Sequence, residues 1–278
     1  MQVETGVAPV NGAELYYERA GVGDPVVLVH AGIADSRMWD PQFEVLAAEY
    51  TVVRCDLRGY GRTPAVKGPF SHHEDVIALL RYLGLERTAL VGCSMGGKTV
   101  IDAALMAPDA VAALVPIASA LSGYKAAAPD PPQWQAAVDA YGRGDLEQAS
   151  EYEVQIWVDG PTRRPDVVPA AIRDLVREMN LIPLAVPDEL VDERPLEPPA
   201  AGRLHELTVP TLVVIGELDQ PAPIEQCRFI AGQVPGAETV TLRTAHLPNL
   251  ERPEEFNDVL RGFLRRALGT SAPPPASQ

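Results

Sequence analysis

Cysteine and positive charge are both scarce in this sequence, and each scarcity excludes classes of protein. The three cysteines, Cys55, Cys93 and Cys227, are odd in number and have no paired spacing. We therefore expect neither a disulfide framework nor zinc ligation. Lysine and arginine total 23 residues against 38 aspartates and glutamates, which gives a formal net charge of -15. So acidic a chain repels nucleic-acid backbones and anionic membrane surfaces, and we expect neither as a partner.

Long apolar runs are missing as well. No stretch reaches the ~18 consecutive apolar residues of a transmembrane helix. The first residues, Met-Gln-Val-Glu-Thr-Gly, do not show the basic-then-apolar pattern of a secretory signal. Histidines and carboxylates do not recur at the spacing of metal ligands. These absences predict a soluble, cytoplasmic protein that uses no metal and no other cofactor.

The chain nevertheless has enough apolar sequence for a large core, since 46% of its 278 residues are hydrophobic. Short apolar runs alternate with helix-like stretches over residues 1–120 and again over residues 205–268. This alternation predicts an α/β fold with a mostly parallel, doubly wound sheet. Residues 121–204 are rich in proline and in helix-like stretches, which indicates an inserted helical cap. We expect the tail, residues 269–278, to be disordered.

Two local patterns refine this outline. Near the start of the chain, Asn11-Gly12 separates two strand-like runs and predicts a β-hairpin. Further on, Gly92-Cys-Ser-Met-Gly96 stands between an apolar run and a helix-like stretch and has the G-x-S-x-G spacing of a nucleophile elbow. In an elbow the serine occupies a strained strand-to-helix turn, so the residues two positions away must be small. Ser94 satisfies this requirement and is the predicted nucleophile.

Two alternatives to this elbow deserve weighing. If Cys93 were the nucleophile, the small positions would fall on Val91 and Met95, so we expect Cys93 to be a buried packing residue. The same segment, extended through Lys98 and Thr99, also fits the phosphate-binding pattern G-x-x-x-x-G-K-[ST]. A phosphate site would leave the acid and the base described next without a role.

A serine hydroxyl is a weak nucleophile, so Ser94 needs a base, and the base needs an orienting acid. Asp219 follows one apolar strand and His246 follows the next. Because the carboxyl ends of parallel strands lie along one edge of a sheet, all three residues can meet there. Glu217 is a rival acid, since residues two apart in an extended chain point the same way. The order serine, acid, histidine is that of the α/β-hydrolases.

On these residues the chain resembles the α/β-hydrolase superfamily over nearly all of residues 20–268. The matching marks are His30-Ala-Gly-Ile with Trp39, Asp56-Leu-Arg-Gly-Tyr-Gly-Arg-Thr, Gly92-Cys-Ser-Met-Gly-Gly, Gly216-Glu-Leu-Asp219 and His246-Leu-Pro-Asn-Leu-Glu. The Gly-x-x-Asp spacing from Gly216 favours Asp219 over Glu217 as the acid.

The resemblance also implies an oxyanion hole made of the backbone N–H groups of Met95 and Gly32, with Ile33 as the alternative to Gly32. We expect His30 to fix the oxyanion loop, and we expect Ile33 and Trp157 to contact the substrate, with a packing role as the alternative for Trp157. Arg163 and Arg164 are expected either to meet a substrate carboxylate or to be solvated in a loop. His72, His73 and His205 are expected to lie on a solvated surface.

Within the superfamily the chain is similar to the 3-oxoadipate enol-lactonase and carboxylesterase group. The resemblance implies a serine hydrolase that cleaves a small-molecule carboxylic ester or lactone through an acyl-enzyme. Two alternatives keep the same fold: a carbon-carbon bond hydrolase or cofactor-free perhydrolase on the same triad, and a ligand receptor with slow turnover. The oligomeric state is not readable from the sequence.

Overall fold

A computed structural model of the chain describes residues 2–269. The predicted disordered tail lies outside these residues except for Gly269, which ends the last helix in the left-handed conformation. None of the helices in the described range is long and apolar enough to cross a membrane.

Within residues 2–269, eight strands form one sheet in the order β1-β2-β4-β3-β5-β6-β7-β8. The strands are β1 (Val3–Val10), β2 (Ala13–Ala20), β3 (Pro25–Val29), β4 (Thr51–Cys55), β5 (Thr88–Cys93), β6 (Val111–Ile117), β7 (Leu212–Gly216) and β8 (Glu238–Leu242). β2 runs antiparallel to both of its neighbours, and the strands from β4 to β8 pair in parallel. The sequence therefore predicted the sheet correctly, including the hairpin, in which Val10 pairs with Ala13 and Asn11 and Gly12 both have positive φ.

Helices cover both faces of the sheet. They are α1 (Asp40–Ala47), α2 (His72–Tyr82), α3 (Met95–Met106), α4 (Trp134–Gly142), α5 (Leu146–Val154), α6 (Ala170–Leu184), α7 (Pro221–Gln233), α8 (Pro248–Glu251) and α9 (Pro253–Leu268). A π-helical turn, Gln155–Asp159, extends α5. Shorter 3-10 turns span Ser36–Trp39, Pro108–Ala110, Asp188–Leu190, Ala200–Gly202 and Leu204–Glu206.

The core consists of two apolar layers, one on each side of the sheet. One layer includes Trp39 and Phe256 from the side of α1 and α9. The other includes Leu79 and Ile101 from α2 and α3. The inner strands carry side chains buried on both faces, and each large one contributes roughly 1.5–3 kcal/mol on burial. Two-sided burial explains why these strands read as continuous apolar runs.

The segment between β6 and β7 contains α4, α5 and α6 but no strand of the sheet. α5 packs against both α4 and α6. β6 and β7 are nevertheless neighbours in the sheet, joined at Ile117 and Val214. Because these two strands are parallel, the helical segment leaves the sheet at the edge where the chain emerges from β5, β7 and β8, and the chain returns to the opposite edge before it enters β7.

Candidate active site

The chain turns sharply at Ser94, between the end of β5 and the start of α3. Ser94 has φ 55° and ψ -114°, a region that non-glycine residues rarely adopt. Its N–H donates to Ile117 O at 2.8 Å, and its carbonyl accepts from the N–H of Lys98 and of Ala120. These three hydrogen bonds hold the strained backbone in place.

The glycines on either side of Ser94 make this turn possible. A Cβ on Gly92 would overlap the backbone of Gly96, and a Cβ on Gly96 would overlap the carbonyls of Val29 and His30. The strand and the helix therefore approach each other, and α3 approaches β3, more closely than any side chain would allow. The sequence argument for small residues at these two positions agrees with this geometry.

Asp219 and His246 meet beyond the ends of β7 and β8. Asp219 Oδ2 lies 2.7 Å from His246 Nδ1, and both side chains are almost fully buried. Asp219 Oδ1 accepts from the Gln220 N–H at 2.7 Å. With Nδ1 facing a carboxylate, the imidazole carries its proton on Nδ1 and leaves Nε2 free as a base.

The loop of His246 reaches the elbow itself. Cys93 Sγ lies 3.5 Å from His246 O, so the base belongs to a loop that touches the residue before Ser94. Cys93 is fully buried, and this burial raises the pKa of its thiol well above the ordinary value. A buried thiol of raised pKa is a poor nucleophile, which agrees with the packing role expected for Cys93.

Glu217, the rival acid, points elsewhere. It lies in the turn after β7, its side chain is about half exposed, and its carboxylate is 3.7 Å from Arg243. The sequence could not separate Glu217 from Asp219 by alternation along a strand. The turn that begins after Gly216 removes that ambiguity, because the two residues no longer share an extended backbone.

Gly32 stands next to Met95. A Cβ on Gly32 would lie 3.6 Å from the Met95 side chain, an ordinary contact distance. The Ala34 N–H donates to Ala31 O and closes a turn around Gly32 and Ile33. Within residues 2–269, no acceptor is hydrogen-bonded to the N–H groups of Gly32, Ile33 or Met95. Met95 is also the first residue of α3, where unpaired N–H groups and the helix dipole favour negative charge.

His30 stabilises this turn through hydrogen bonds of both ring nitrogens. The Leu57 N–H donates to its Nε2 at 2.9 Å, and its Nδ1 lies 2.8 Å from Ala31 O. Because Nε2 accepts, Nδ1 carries the proton and donates to the carbonyl. The ring is fully buried, and desolvation lowers its pKa, so it stays neutral. These contacts give His30 the loop-fixing position that the resemblance implied.

Trp157 lies against His246, with ring centroids 4.6 Å apart and an interplanar angle of 39°. The Trp157 carbonyl also accepts from the His246 N–H at 3.2 Å. Trp157 belongs to the π-helical turn after α5, so the helical segment contacts the candidate base directly. Ile33 is instead buried in the apolar layer that also contains Val154 and Val158.

Arg163 differs from what the sequence predicts, whereas Arg164 has the solvated position that was one of its two expected environments. Arg163 is neither solvated nor free for a substrate, because it pairs with Glu251 at 2.5 Å and donates to two backbone carbonyls. Arg164 is exposed and pairs with Asp166. The Arg163 guanidinium is therefore engaged within the protein, and the Arg164 guanidinium is in a surface ion pair.

The expectation of a solvated surface is right for His205 but wrong for His72 and His73, which are buried at the start of α2. The His72 ring packs edge-on against Phe70 at 5.0 Å, and burial lowers its pKa to about 4. The chain around Glu193 pairs with Phe70 and covers this end of the helix. Glu193 is about 120 residues away from the start of α2 along the chain, so no local sequence pattern predicts this burial.

The phosphate-binding alternative fits the same segment poorly in three dimensions. Lys98, which would reach a phosphate, pairs with Glu193 at 2.8 Å. The Thr99 hydroxyl donates to Met95 O inside α3. The backbone forms a tight elbow at Ser94 rather than an open loop of N–H groups.

Known proteins resemble this chain over most of its length. Residues 24–253 match the family described as alpha/beta hydrolase fold. The pimeloyl-[acyl-carrier protein] methyl ester esterase of Aliivibrio salmonicida is 26% identical over 259 residues, which cover 90% of this chain and 96% of that protein. The 3-oxoadipate enol-lactonase 1 of Acinetobacter baylyi is 25% identical over 254 residues, which cover 83% of this chain and 85% of that protein. The enol-lactonase structure from Burkholderia xenovorans LB400 superposes with a TM-score of 0.76 at 28% identity, covering 93% of this chain and 99% of that one.

Proposed function

Because this chain belongs to the family of the alpha/beta hydrolase fold, we propose that it is a serine hydrolase that cleaves a small carboxylic ester or lactone through an acyl-enzyme. Ser94 is the nucleophile, His246 the general base and acid, and Asp219 the orienting acid. The N–H groups of Met95 and Gly32 form the oxyanion hole. Relatives that resemble the chain over most of its length include both esterases and lactonases.

Acylation begins when Ser94 Oγ attacks the ester carbonyl carbon and His246 Nε2 takes the hydroxyl proton. Asp219 holds the Nδ1 proton and stabilises the imidazolium that forms. The carbonyl oxygen becomes an oxyanion, which accepts hydrogen bonds from the Met95 and Gly32 N–H groups. The tetrahedral intermediate collapses, the bond to the leaving oxygen breaks, and His246 gives that oxygen its proton.

Deacylation repeats the sequence with water. His246 Nε2 takes a proton from water, and the resulting hydroxide attacks the acyl carbon. Collapse of the second intermediate returns the proton to Ser94 and releases the carboxylic acid. For a lactone the alcohol and the acid remain in one molecule, so the product is a hydroxy acid.

One observation carries the proposal: the buried 2.7 Å contact between Asp219 Oδ2 and His246 Nδ1, in a loop that touches Cys93, the residue before the strained Ser94. Burying a carboxylate is costly unless it is paired and hydrogen-bonded; the Nδ1–H group of His246 provides that hydrogen bond, which also sets the tautomer of the ring. Trp157 stacks on the same imidazole. We expect it to limit ring rotation and to border the reacting ester.

An activated phosphonate tests the nucleophile, because it mimics the tetrahedral intermediate and remains attached. We expect it to label Ser94 and to inactivate aryl-ester hydrolysis in step with labelling. Ser94→Ala should lose both, whereas Cys93→Ala should keep both. Labelling that persists in Ser94→Ala, or that requires Cys93, would refute the assignment. A single turnover that ends in a lasting adduct would favour a ligand receptor over an enzyme.

A further inference from the structure

A cavity of about 320 Å³ opens beside Gly32, on the side of the helical segment. Tyr60, from the loop after β4, lines it together with residues from α4, α5 and α6. Most of the lining is apolar, such as Val138, Leu184 and Val186. Because Gly32 belongs to both this cavity and the candidate oxyanion hole, the cavity is within reach of a substrate whose carbonyl oxygen is held at Gly32.

Glu153 of α5 is the more buried of the two carboxylates in this lining, since Asp188 is exposed. Asn180 Nδ2 donates to its Oε2 at 2.6 Å. Within residues 2–269, no arginine, lysine or histidine forms an ion pair with Glu153, and Asn180 provides its only hydrogen bond. Burial raises the pKa of Glu153, and nothing of positive charge opposes that effect. Its second oxygen is therefore an acceptor without a protein donor.

The other polar and aromatic groups of the lining also favour a positively charged ligand. Asp188 lies at the exposed rim and accepts from the Tyr141 hydroxyl at 2.8 Å. Trp134, Tyr141 and Tyr60 provide aromatic rings around the cavity. No arginine, lysine or histidine is among the residues that line it. Carboxylates combined with aromatic faces attract organic cations, through charge and through the ring quadrupole.

We propose that Glu153 determines specificity in this cavity and selects ester substrates that carry an alkylammonium group. The ester part of this statement rests on the proposed function, whereas the cation part rests on the cavity alone. An alkylammonium group would provide the positively charged partner that Glu153 lacks, and it would pack on the aromatic rings of the cavity. A substrate carboxylate would instead meet two like charges with no counter-ion, which costs binding.

Three aryl esters that differ only in the acyl chain test the idea on the intact protein. The cationic and the neutral ester are nearly isosteric, so they differ mainly in charge. They are the p-nitrophenyl esters of 4-(trimethylammonio)butanoate, of 5,5-dimethylhexanoate and of adipate as its monoanion. We expect kcat/KM to fall from cation to neutral isostere to anion, by roughly tenfold or more at each step. In Glu153→Gln the ratio of cation to neutral ester should fall to near one.

The net charge of -15 could attract a cation to any site on the surface, so a matched variant is needed. Glu147 lies on the same helix and is exposed, outside the cavity lining. Glu147→Gln removes the same charge and should keep the wild-type ratio of cation to neutral ester. Equal ratios in Glu147→Gln and Glu153→Gln, or no cation preference in the wild type, would overturn the proposal.

A binding measurement separates failure of this inference from failure of the proposed hydrolase. Hexyltrimethylammonium should raise the melting temperature of the wild type and of Ser94→Ala, but not of Glu153→Gln, and hexyl sulfate should raise none of them. That pattern without any ester turnover would retain the cation site and refute the hydrolase. Ester turnover without a rise in the melting temperature of the wild type on addition of the cation would refute the cation site and retain the hydrolase.

Discussion

Replacing the carboxylate of Asp219 by an amide tests the proposed hydrolase mechanism at a single residue. Asp219→Asn should preserve the fold and lower kcat by up to about four orders of magnitude, because an amide N–H can face Nδ1 and favour the wrong tautomer. KM for an aryl ester should change little, since the loss falls on the chemical steps. Steady-state kinetics with circular dichroism as a folding check measures both.

Glu217→Gln is the matched control for that change. Its carboxylate is half exposed and 3.7 Å from Arg243, so kcat should stay within about twofold of the wild type, as expected for a surface substitution. If Glu217→Gln abolished turnover while Asp219→Asn retained it, the acid would have been assigned two residues too late.

Asp102 of α3 predicts a pH dependence of stability. Its side chain is buried, Oδ2 accepts from the Ser122 hydroxyl at 2.5 Å, and Oδ1 has no hydrogen-bond partner among the described residues. Burial raises its pKa from an ordinary 3.8 to about 6. The fold therefore favours the protonated acid, and stability falls as pH rises from about 4 to about 6, by at most ~3 kcal/mol.

Asp102→Asn should remove this dependence, because an amide stays neutral. The free energy of unfolding of the variant relative to the wild type should increase between pH 4 and pH 7, as measured by urea denaturation. Asp109→Asn, at an exposed position just after the same helix, serves as the control. A difference between Asp102→Asn and wild type that stays constant with pH would show that Asp102 does not change charge in this range.

At the level of single residues, sequence predicted the chemistry but not the cavity. Ser94, Asp219 and His246 follow strand ends and carry reactive side chains, so order and position were enough to propose them. Glu153 and Tyr60 were missed. Neither has a local signature, since one lies in an ordinary amphipathic helix and the other in a glycine-rich turn, and only the tertiary fold brings them to the same cavity.

Among the secondary-structure elements, the β5-Ser94-α3 elbow is the most constrained. Gly92→Ala places a Cβ against the Gly96 backbone, which cannot yield as a flexible side chain can. We expect a loss of about 1–3 kcal/mol in the free energy of unfolding and a loss of kcat larger than stability alone explains. Chemical denaturation and kinetics on the folded variant measure the two effects.

Gly232→Ala provides the comparison, because a Cβ at that position of α7 would meet nothing within 4 Å. It should be neutral or stabilise the protein by up to about 1 kcal/mol through helix propensity. Equal behaviour of the two variants would mean that close backbone approach does not shape the elbow.

Elements buried on both faces were the easiest to predict from sequence, because two-sided burial leaves a continuous apolar run. The Asn11-Gly12 hairpin was equally clear, because its two positive φ angles demand such residues. The environment of α2 was not predictable. His72 and His73 are polar residues, and their burial depends on tertiary neighbours such as Phe70, which packs on His72 and pairs with the distant Glu193.

For the molecule as a whole, the pair Arg163 and Glu251 joins the helical segment to the loop of His246. Glu251 Oε1 accepts from the Ala245 N–H at 2.7 Å, directly before His246. Arg163→Ala leaves the nearly buried Glu251 without its cation, which should cost about 3 kcal/mol in the free energy of unfolding. Because the His246 loop loosens, kcat should fall more than KM rises.

The neighbouring arginine is the control for this prediction. Arg164 is exposed and pairs with Asp166 on the surface, so Arg164→Ala should change stability by less than about 0.5 kcal/mol. Thermal unfolding and kinetics of both variants decide the matter. If the two substitutions had equal effects, Arg163 would not link the helical segment to the base.

The place of the triad residues along the chain has a consequence for synthesis. A ribosome completes Ser94 and its elbow long before it reaches Asp219 and His246, which follow the last two strands of the sheet. On the proposed assignment, a growing polypeptide therefore displays the serine while the 2.7 Å acid-base pair does not yet exist. If the proposed triad is right, a nascent chain should therefore not hydrolyse esters until β7 and β8 have joined the sheet.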